Sequence, residues 1–317
     1  MSSQAIILPS VVDLLLERRR DGGRPGARTD GRRIALAVEG GGMRGVVSGG
    51  MLTALEQLGL RGCFDAVYGA SAGAIGGAYF VAGQARAGVA VFFDEINNDR
   101  FIDLRRLLSG LPVVALDFAL DEVCGRHLAV ERVLGSDLPL HIVMSSLRQH
   151  RAVVMTGFRD RADLFEALRA TMRIPVFAGP PVVVRGERYT DAAIYESIPI
   201  RSAVAGGATD VVVLLTRPRG SLRRPPGIVD RLLVAPRLAR IDRRLADDYL
   251  RRWQAYAHEV ASLDRAGPAR LLAVQIPATT TAIAGFEKSR ARLLAGAVDG
   301  YRLVFALFGQ ACENEPC

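Results

Sequence analysis

Two short turns about thirty residues apart hold the residue types that acyl-transfer chemistry requires: Gly40-Gly41-Gly42-Met43-Arg44-Gly45 and Gly69-Ala70-Ser71-Ala72-Gly73. The first has no side chain at three successive positions, so its backbone N–H groups stand open to a ligand, and the helix N-terminus behind them favours negative charge. The second places a serine with glycine two residues to either side. That is the spacing of a nucleophile elbow, a strand-to-helix turn too tight for Cβ atoms. A hydroxyl beside a row of amide donors suits ester cleavage, in which the hydroxyl attacks a carbonyl and the amides hold the oxyanion.

Each turn is framed by the elements that would position it. The apolar run Ile34-Ala35-Leu36-Ala37-Val38 predicts a strand, and Val46, Val47, Met51, Leu52, Leu55 and Leu58 continue at helical spacing to a stop at Gly59. Phe64 to Tyr68 predicts the second strand, and Ala74 to Ala82 the helix after Ser71. Further strands are expected at 139–144, 152–155, 211–215 and 271–276, with helical patterns between many of them. This alternation predicts an α/β protein, a three-layer α/β/α arrangement around a mostly parallel central sheet. At 317 residues and 50% hydrophobic, the chain can bury a large core.

The glycine loop also fits a dinucleotide fingerprint, with glycines at 40, 42 and 45. That reading needs an acidic residue at the far end of the next strand, whereas Asp65 stands at its beginning and the far end carries Gly69 and Ser71. A Ser-His-Asp triad in the α/β-hydrolase order is a second alternative. Among the four histidines it leaves His258, with an acid such as Asp210, and His258 falls in a polar, helical stretch.

The pairing of Gly-Gly-Gly-x-Arg-Gly with Gly-x-Ser-x-Gly, followed much later by Tyr189-Thr190-Asp191-Ala192-Ala193, resembles the bacterial patatin-like phospholipases. The likeness is most specific over residues 34–83. It extends through Ala167 to Pro175 and Ile198-Pro199-Ile200, and so covers most of 34–217. The resemblance implies a lipid acyl hydrolase of phospholipase A, lysophospholipase or esterase type that uses no metal and no cofactor. Ser71 corresponds to its nucleophile, Asp191 to the acidic partner of a Ser-Asp dyad, and Gly41 and Gly42 to the oxyanion-hole donors. Gly40, Met43, Arg44 and Gly45 correspond to the supporting loop, with Arg44 placed to hold that loop or meet an anionic head group; Gly69 and Gly73 flank the elbow. One position departs: the family has Asp-Gly where this chain has Asp191-Ala192, and alanine resists positive φ. The same departure motivates a catalytically weak lipid-binding protein of this fold as the third reading.

The chain divides into an N-terminal helix and linker (1–33), a catalytic core (34–217) and a C-terminal, mainly helical segment with one strand packed on that core (218–317). No secretory signal or membrane-spanning run is visible, so a soluble, cytoplasmic protein is expected. Net charge is +8, and eleven arginines against four acids between Arg217 and Arg252 account for +7 of it. Ile228, Val229, Leu232, Leu233, Val234, Leu238, Ile241, Leu245 and Leu250 recur there at roughly helical spacing, broken near Pro236. A basic amphipathic segment of this kind suits peripheral contact with an anionic membrane, and equally a packed helix with a solvated basic face. Nucleic acid is not an expected partner, because no recognised module, zinc spacing or aromatic-plus-basic strand accompanies the charge. Cys63, Cys124, Cys312 and Cys317 lack metal-ligand spacing and are expected as thiols, a Cys312–Cys317 pair being the alternative on oxidation. Phe92, Phe93, Phe101, Leu107, Leu108 and Phe118 are candidates for a lipid-facing wall.

Overall fold

Strand β1 (Ile34–Val38) is buried along its whole length, as a run of five apolar residues requires when a sheet is covered on both faces. The computed structural model describes residues 10–313 other than 175 and 266. Within them β1 lies between β2 (Ala66–Ala70) and β7 (Asp210–Leu215), both parallel to it. The parallel set is completed by β3 (Leu140–Ser146) beyond β2 and β8 (Arg270–Gln275) beyond β7. Strand β4 (Arg151–Met155) folds back antiparallel on β3, and β5 (Val182–Val184) forms a hairpin with β6 (Glu187–Thr190).

The side-chain period of two sends alternate residues of each strand into different layers. Ile34, Leu36, Val38, Val212 and Leu214 join a core with Leu14, Val46, Ala78, Val89 and Val304, which the helices Val11–Asp21, Gly45–Gln57, Ala72–Val81, Ala85–Asp94 and Arg290–Glu313 supply. Ala35, Ala37, Val211 and Val213 face the other way, onto Ile200, Ala203 and Tyr256 of the helices Ile200–Ala205 and Arg243–Ser262. This is the expected α/β/α layering.

Several boundaries differ from the sequence reading. Strand β2 begins at Ala66 rather than Phe64, because Asp65 is held below the sheet: it accepts from Arg18 at 2.7 Å, Arg28 at 2.9 Å and the Ile34 N–H at 2.7 Å. The N-terminal helix is seen as Val11–Asp21, capped reciprocally by Ser10 and Asp13. The β5–β6 hairpin was not expected as a pair of strands. Its two-residue turn, Arg185 (φ 47°) and Gly186 (φ 84°), has the doubly positive φ that matches strand twist in tight hairpins.

The hairpin sets the site. Ser145 and Ser146 of β3 pair with Ala152 and Arg151 of β4 on one edge, so β6, which pairs with the same two serines, occupies the other. Along that other edge β2 pairs with Leu140 to Val143. Strand β6 thus enters the seat that β2 leaves at Ala70, from the opposite direction, and its end delivers Asp191 beside Ser71.

The arginine-rich segment is not one amphipathic helix. A π-helical turn Asp230–Val234 runs into Ala235–Ala239, and a new helix starts at Arg243, capped by Asp242. Val234, Leu238 and Leu245 are buried, and Ile241 and Leu250 pack against them. Ile228, Val229, Leu232 and Leu233 remain exposed, Ile228 by 74% and Leu232 by 66%.

Candidate active site

Ser71 sits between β2 and the helix Ala72–Val81 at φ 51° and ψ −126°, a left-handed conformation that a residue with a Cβ adopts only when its surroundings impose it. Here the neighbours do so. A Cβ on Gly69 would lie 2.4 Å from Ala74 Cα, and one on Gly73 would lie 2.3 Å from the Val38 carbonyl oxygen, so both elbow positions must be glycine. The Ser71 N–H donates to Thr171 Oγ1 at 2.9 Å, and the Thr171 hydroxyl donates in turn to the Val143 carbonyl. The strained turn is thereby fixed to β3.

The Ser71 hydroxyl donates to Asp191 Oδ2 at 2.9 Å, across 120 residues of chain. Asp191 is tied on every side: its N–H donates to the Arg173 carbonyl (3.1 Å), its carbonyl accepts from Ser145 Oγ (2.8 Å), and Oδ1 accepts from the Ala193 N–H (2.8 Å). Ala192 stands in a 3₁₀ turn, Ala192–Ile194, without positive φ, so the turn after the carboxylate has no need of glycine. Burial pushes the Asp191 carboxyl above the usual range, against the opposing pull of the Ala193 N–H, the Ser71 hydroxyl and the charges of Arg223 and Arg252.

The glycine loop lies over this pair. Four of its amides are spent on structure: Gly40 N–H on the Ser197 carbonyl (3.2 Å), Met43 N–H on the Gly285 carbonyl (3.0 Å), Arg44 N–H on the Gly41 carbonyl (3.3 Å) and Gly45 N–H on the Gly42 carbonyl. The N–H groups of Gly41 and Gly42 have no partner among the described residues. Gly42 takes φ +59°, and a Cβ on it would come within 2.6 Å of the Gly285 oxygen. Before the loop, Glu39 accepts from Thr216 N–H (2.5 Å), Thr216 Oγ1 (2.9 Å) and Tyr256 OH (2.9 Å), pinning the end of β1 to β7 and to the second helical layer.

An apolar cleft opens on Ser71 and Gly42. Its walls include Ile75, Phe92, Ile96, Phe101, Ile102, Val114, Leu116, Met172, Ile174 and Phe286. Of the wall candidates, Phe92 and Phe101 line it, while Phe93, Leu107 and Phe118 pack partly buried against the core; the side chain of Leu108 lies outside the described residues. Cys63 and Cys124 are buried thiols, and the side chains of Cys312 and Cys317 lie outside the described residues.

The two alternative readings fare differently from the first. Asp65 and Asp210 both stand at the starts of parallel strands, at the sheet edge opposite Ser71, and Asp210 is held there by Arg32 (3.0 Å) and Arg270 (2.6 Å). His258 is exposed on its helix. Neither a ribose-binding acid nor a histidine is brought to the serine. Thr171, Ser145, Glu39 and Arg223 were not singled out by sequence; their roles are tertiary, although Glu39 and Thr171 lie in stretches the resemblance had marked. Among the described residues no group of three or more His, Cys, Asp or Glu side chains is placed to hold a metal. No helix among them is long and apolar enough to cross a membrane.

YjjU of Escherichia coli (strain K12), described as uncharacterized, is 28% identical over 189 residues, 59% of this chain and 52% of its own. The chain therefore spans about half the length of that curated relative. The crystal structure of VipD from Legionella pneumophila aligns over 91% of this chain and 69% of its own, with a TM-score of 0.46 and 12% identity. Residues 36–204, more than half of the chain, match the family described as patatin-like phospholipase. That segment contains the glycine loop, the elbow and Asp191, and on this match the chain belongs to the patatin-like phospholipase family.

Proposed function

We propose that the protein hydrolyses carboxylic esters of lipids through a Ser71–Asp191 dyad. The observation that carries the reading is the 2.9 Å hydrogen bond from the serine hydroxyl to a buried carboxylate below unpartnered amides. Asp191 takes the Ser71 proton as Oγ attacks the ester carbonyl; the oxyanion lies against the Gly41 and Gly42 N–H groups. The tetrahedral intermediate collapses, the protonated Asp191 gives its proton to the leaving alkoxide, and an acyl-serine remains. Water, deprotonated by Asp191, then releases the fatty acid and restores the hydroxyl. The apolar cleft supplies the seat for the acyl chain, where each buried methylene contributes about 0.8 kcal/mol.

A fluorophosphonate probe tests the activated serine directly. Covalent labelling of the wild-type protein and none of Ser71→Ala is the expected gel; a folded wild-type protein that takes no label rules the reading out.

The same reading places the protein on anionic membrane surfaces through the segment that leaves the site edge after β7. Exposed Ile228, Val229, Leu232 and Leu233 sit among exposed Arg224, Arg231 and Arg237, apolar contacts ringed by positive charge. Each such arginine contributes about 1 kcal/mol near an anionic leaflet. Sedimentation with vesicles should rise with phosphatidylserine content and fall with salt, and Ile228→Asp with Leu232→Asp should weaken it about tenfold. Binding indifferent to lipid charge would remove this surface from consideration.

A further inference from the structure

Arg44, Arg217 and Arg223 stand together at the site, and among the described residues none of them forms a salt bridge with a carboxylate. Arg44 folds over the glycine loop, its Nε 3.2 Å from where a Cβ on Gly41 would lie and its Nη1 3.2 Å from the same point on Gly285. The Arg217 and Arg223 guanidinium groups lie 5.4 and 5.7 Å from the centre of one aromatic ring, that of Tyr256. Arg223 also donates to the Ala193 carbonyl at 3.0 Å, two residues past Asp191. The cluster therefore touches the oxyanion loop on one side and the turn holding the catalytic carboxylate on the other.

Its polar groups are only partly used. Arg44 Nε and Arg217 Nε are buried and have no hydrogen-bond partner among the described residues. Such donors cost free energy unless something accepts from them. Burial, foremost, and the neighbouring Arg217 and Arg223 charges push the Arg44 guanidinium down to about 10, against the pull of Glu39. Glu39 is a carboxylate within this group, and its oxygens accept from Thr216 and Tyr256. Arg252, the next cation, is already paired with Asp230 at 3.0 Å. Three guanidinium charges face the carboxylates of Glu39 and Asp191, which leaves an excess of one positive charge.

We infer that Arg44, Arg217 and Arg223 form a phosphate-binding subsite for a lipid head group ending in a phosphomonoester. The inference rests on the proposed ester hydrolysis and names its substrate class. A phosphomonoester carries about −1.5 to −2 at pH 7 and offers three acceptor oxygens, which answers both the charge excess and the open donors; a choline phosphodiester offers a single negative charge and brings its own cation. Arg217 and Arg223 lie beyond residue 204, so two of the three arginines come from outside the segment matched to the family.

The test compares hydrolysis of lysophosphatidate and lysophosphatidylcholine bearing the same acyl chain. The wild-type protein should prefer lysophosphatidate by about tenfold or more in kcat/KM, and Arg217→Gln should reduce the preference to about twofold. Reading a ratio within one variant cancels any general loss of activity. In parallel, calorimetric titration of Ser71→Ala with inorganic phosphate should show binding that Arg217→Gln, in the same background, removes. If Arg217→Gln does not fold, Arg223→Gln carries both measurements. Equal turnover of the two lysolipids together with no phosphate binding overturns the subsite. Phosphate binding without turnover of any ester upholds the subsite and overturns the hydrolase reading instead.

Discussion

Turnover of a short-chain nitrophenyl ester should fall by about 10⁴-fold or more in Ser71→Ala, with the melting transition nearly unmoved. Nothing else near the carbonyl can replace the lost nucleophile: the groups around it are glycine amides, apolar cleft walls and a carboxylate that would be left facing a methyl group. The fold should tolerate the change, since the elbow is held by the Ser71 N–H on Thr171 and by the close packing at Gly69 and Gly73, none of which involves the hydroxyl. His258→Ala serves as the contrast and should retain wild-type turnover, its side chain being exposed on a helix of the second layer. Activity kept in the serine variant, or lost in the histidine one, would return the assignment to a triad.

Asp191→Asn should cost about 10³- to 10⁴-fold in kcat, because a neutral amide cannot take the serine proton although it preserves shape. The wild-type pH profile carries the same information. With the carboxyl raised by burial, kcat/KM should fall on the acid side at a midpoint above the ordinary aspartate value of 3.8. The sign for stability is opposite to that of a salt-bridged acid. The folded state holds this proton more tightly than the unfolded chain, so stability is greatest below 3.8 and declines as pH rises toward the raised folded value. Asparagine removes that penalty, and Asp191→Asn should melt no lower than wild type at pH 8. A variant that is both inactive and markedly less stable there would point to a structural carboxylate rather than a base.

The glycine loop and the elbow were legible in the sequence because they are local: a run of glycines after an apolar strand, and five small residues around a serine, carry their steric reason within a few positions. Asp191 was not legible in that way. Its neighbours Tyr189, Thr190 and Ala192 carry no pattern of their own, and only the resemblance to a family pointed to it. What brings it to Ser71 is the pairing of β6 with Ser145 and Ser146, a contact between strands separated along the chain by β4, the helix Arg161–Thr171 and β5, which no periodicity announces. The β5–β6 hairpin escaped for a related reason, since Pro180 and Pro181 before three valines disguise a short strand. The alanine after Asp191 looked like a defect because the family turn was taken to need positive φ; in this chain a 3₁₀ turn meets the geometry without it. In the arginine-rich stretch, helical spacing was visible and its division was not, because burial of Val234, Leu238 and Leu245 and exposure of Ile228 and Leu232 depend on what packs alongside.

The seat that β6 takes beyond the end of β2 has a consequence for how this protein comes to life on the ribosome. The elbow is synthesised early, and the aspartate only after 120 further residues have emerged and the hairpin has docked on β3. On the proposed mechanism the serine stays an ordinary alcohol until that distant docking is complete, so a nascent or misassembled copy would be harmless to the lipids of the cell that makes it. In that reading catalytic competence and topological completion arrive together.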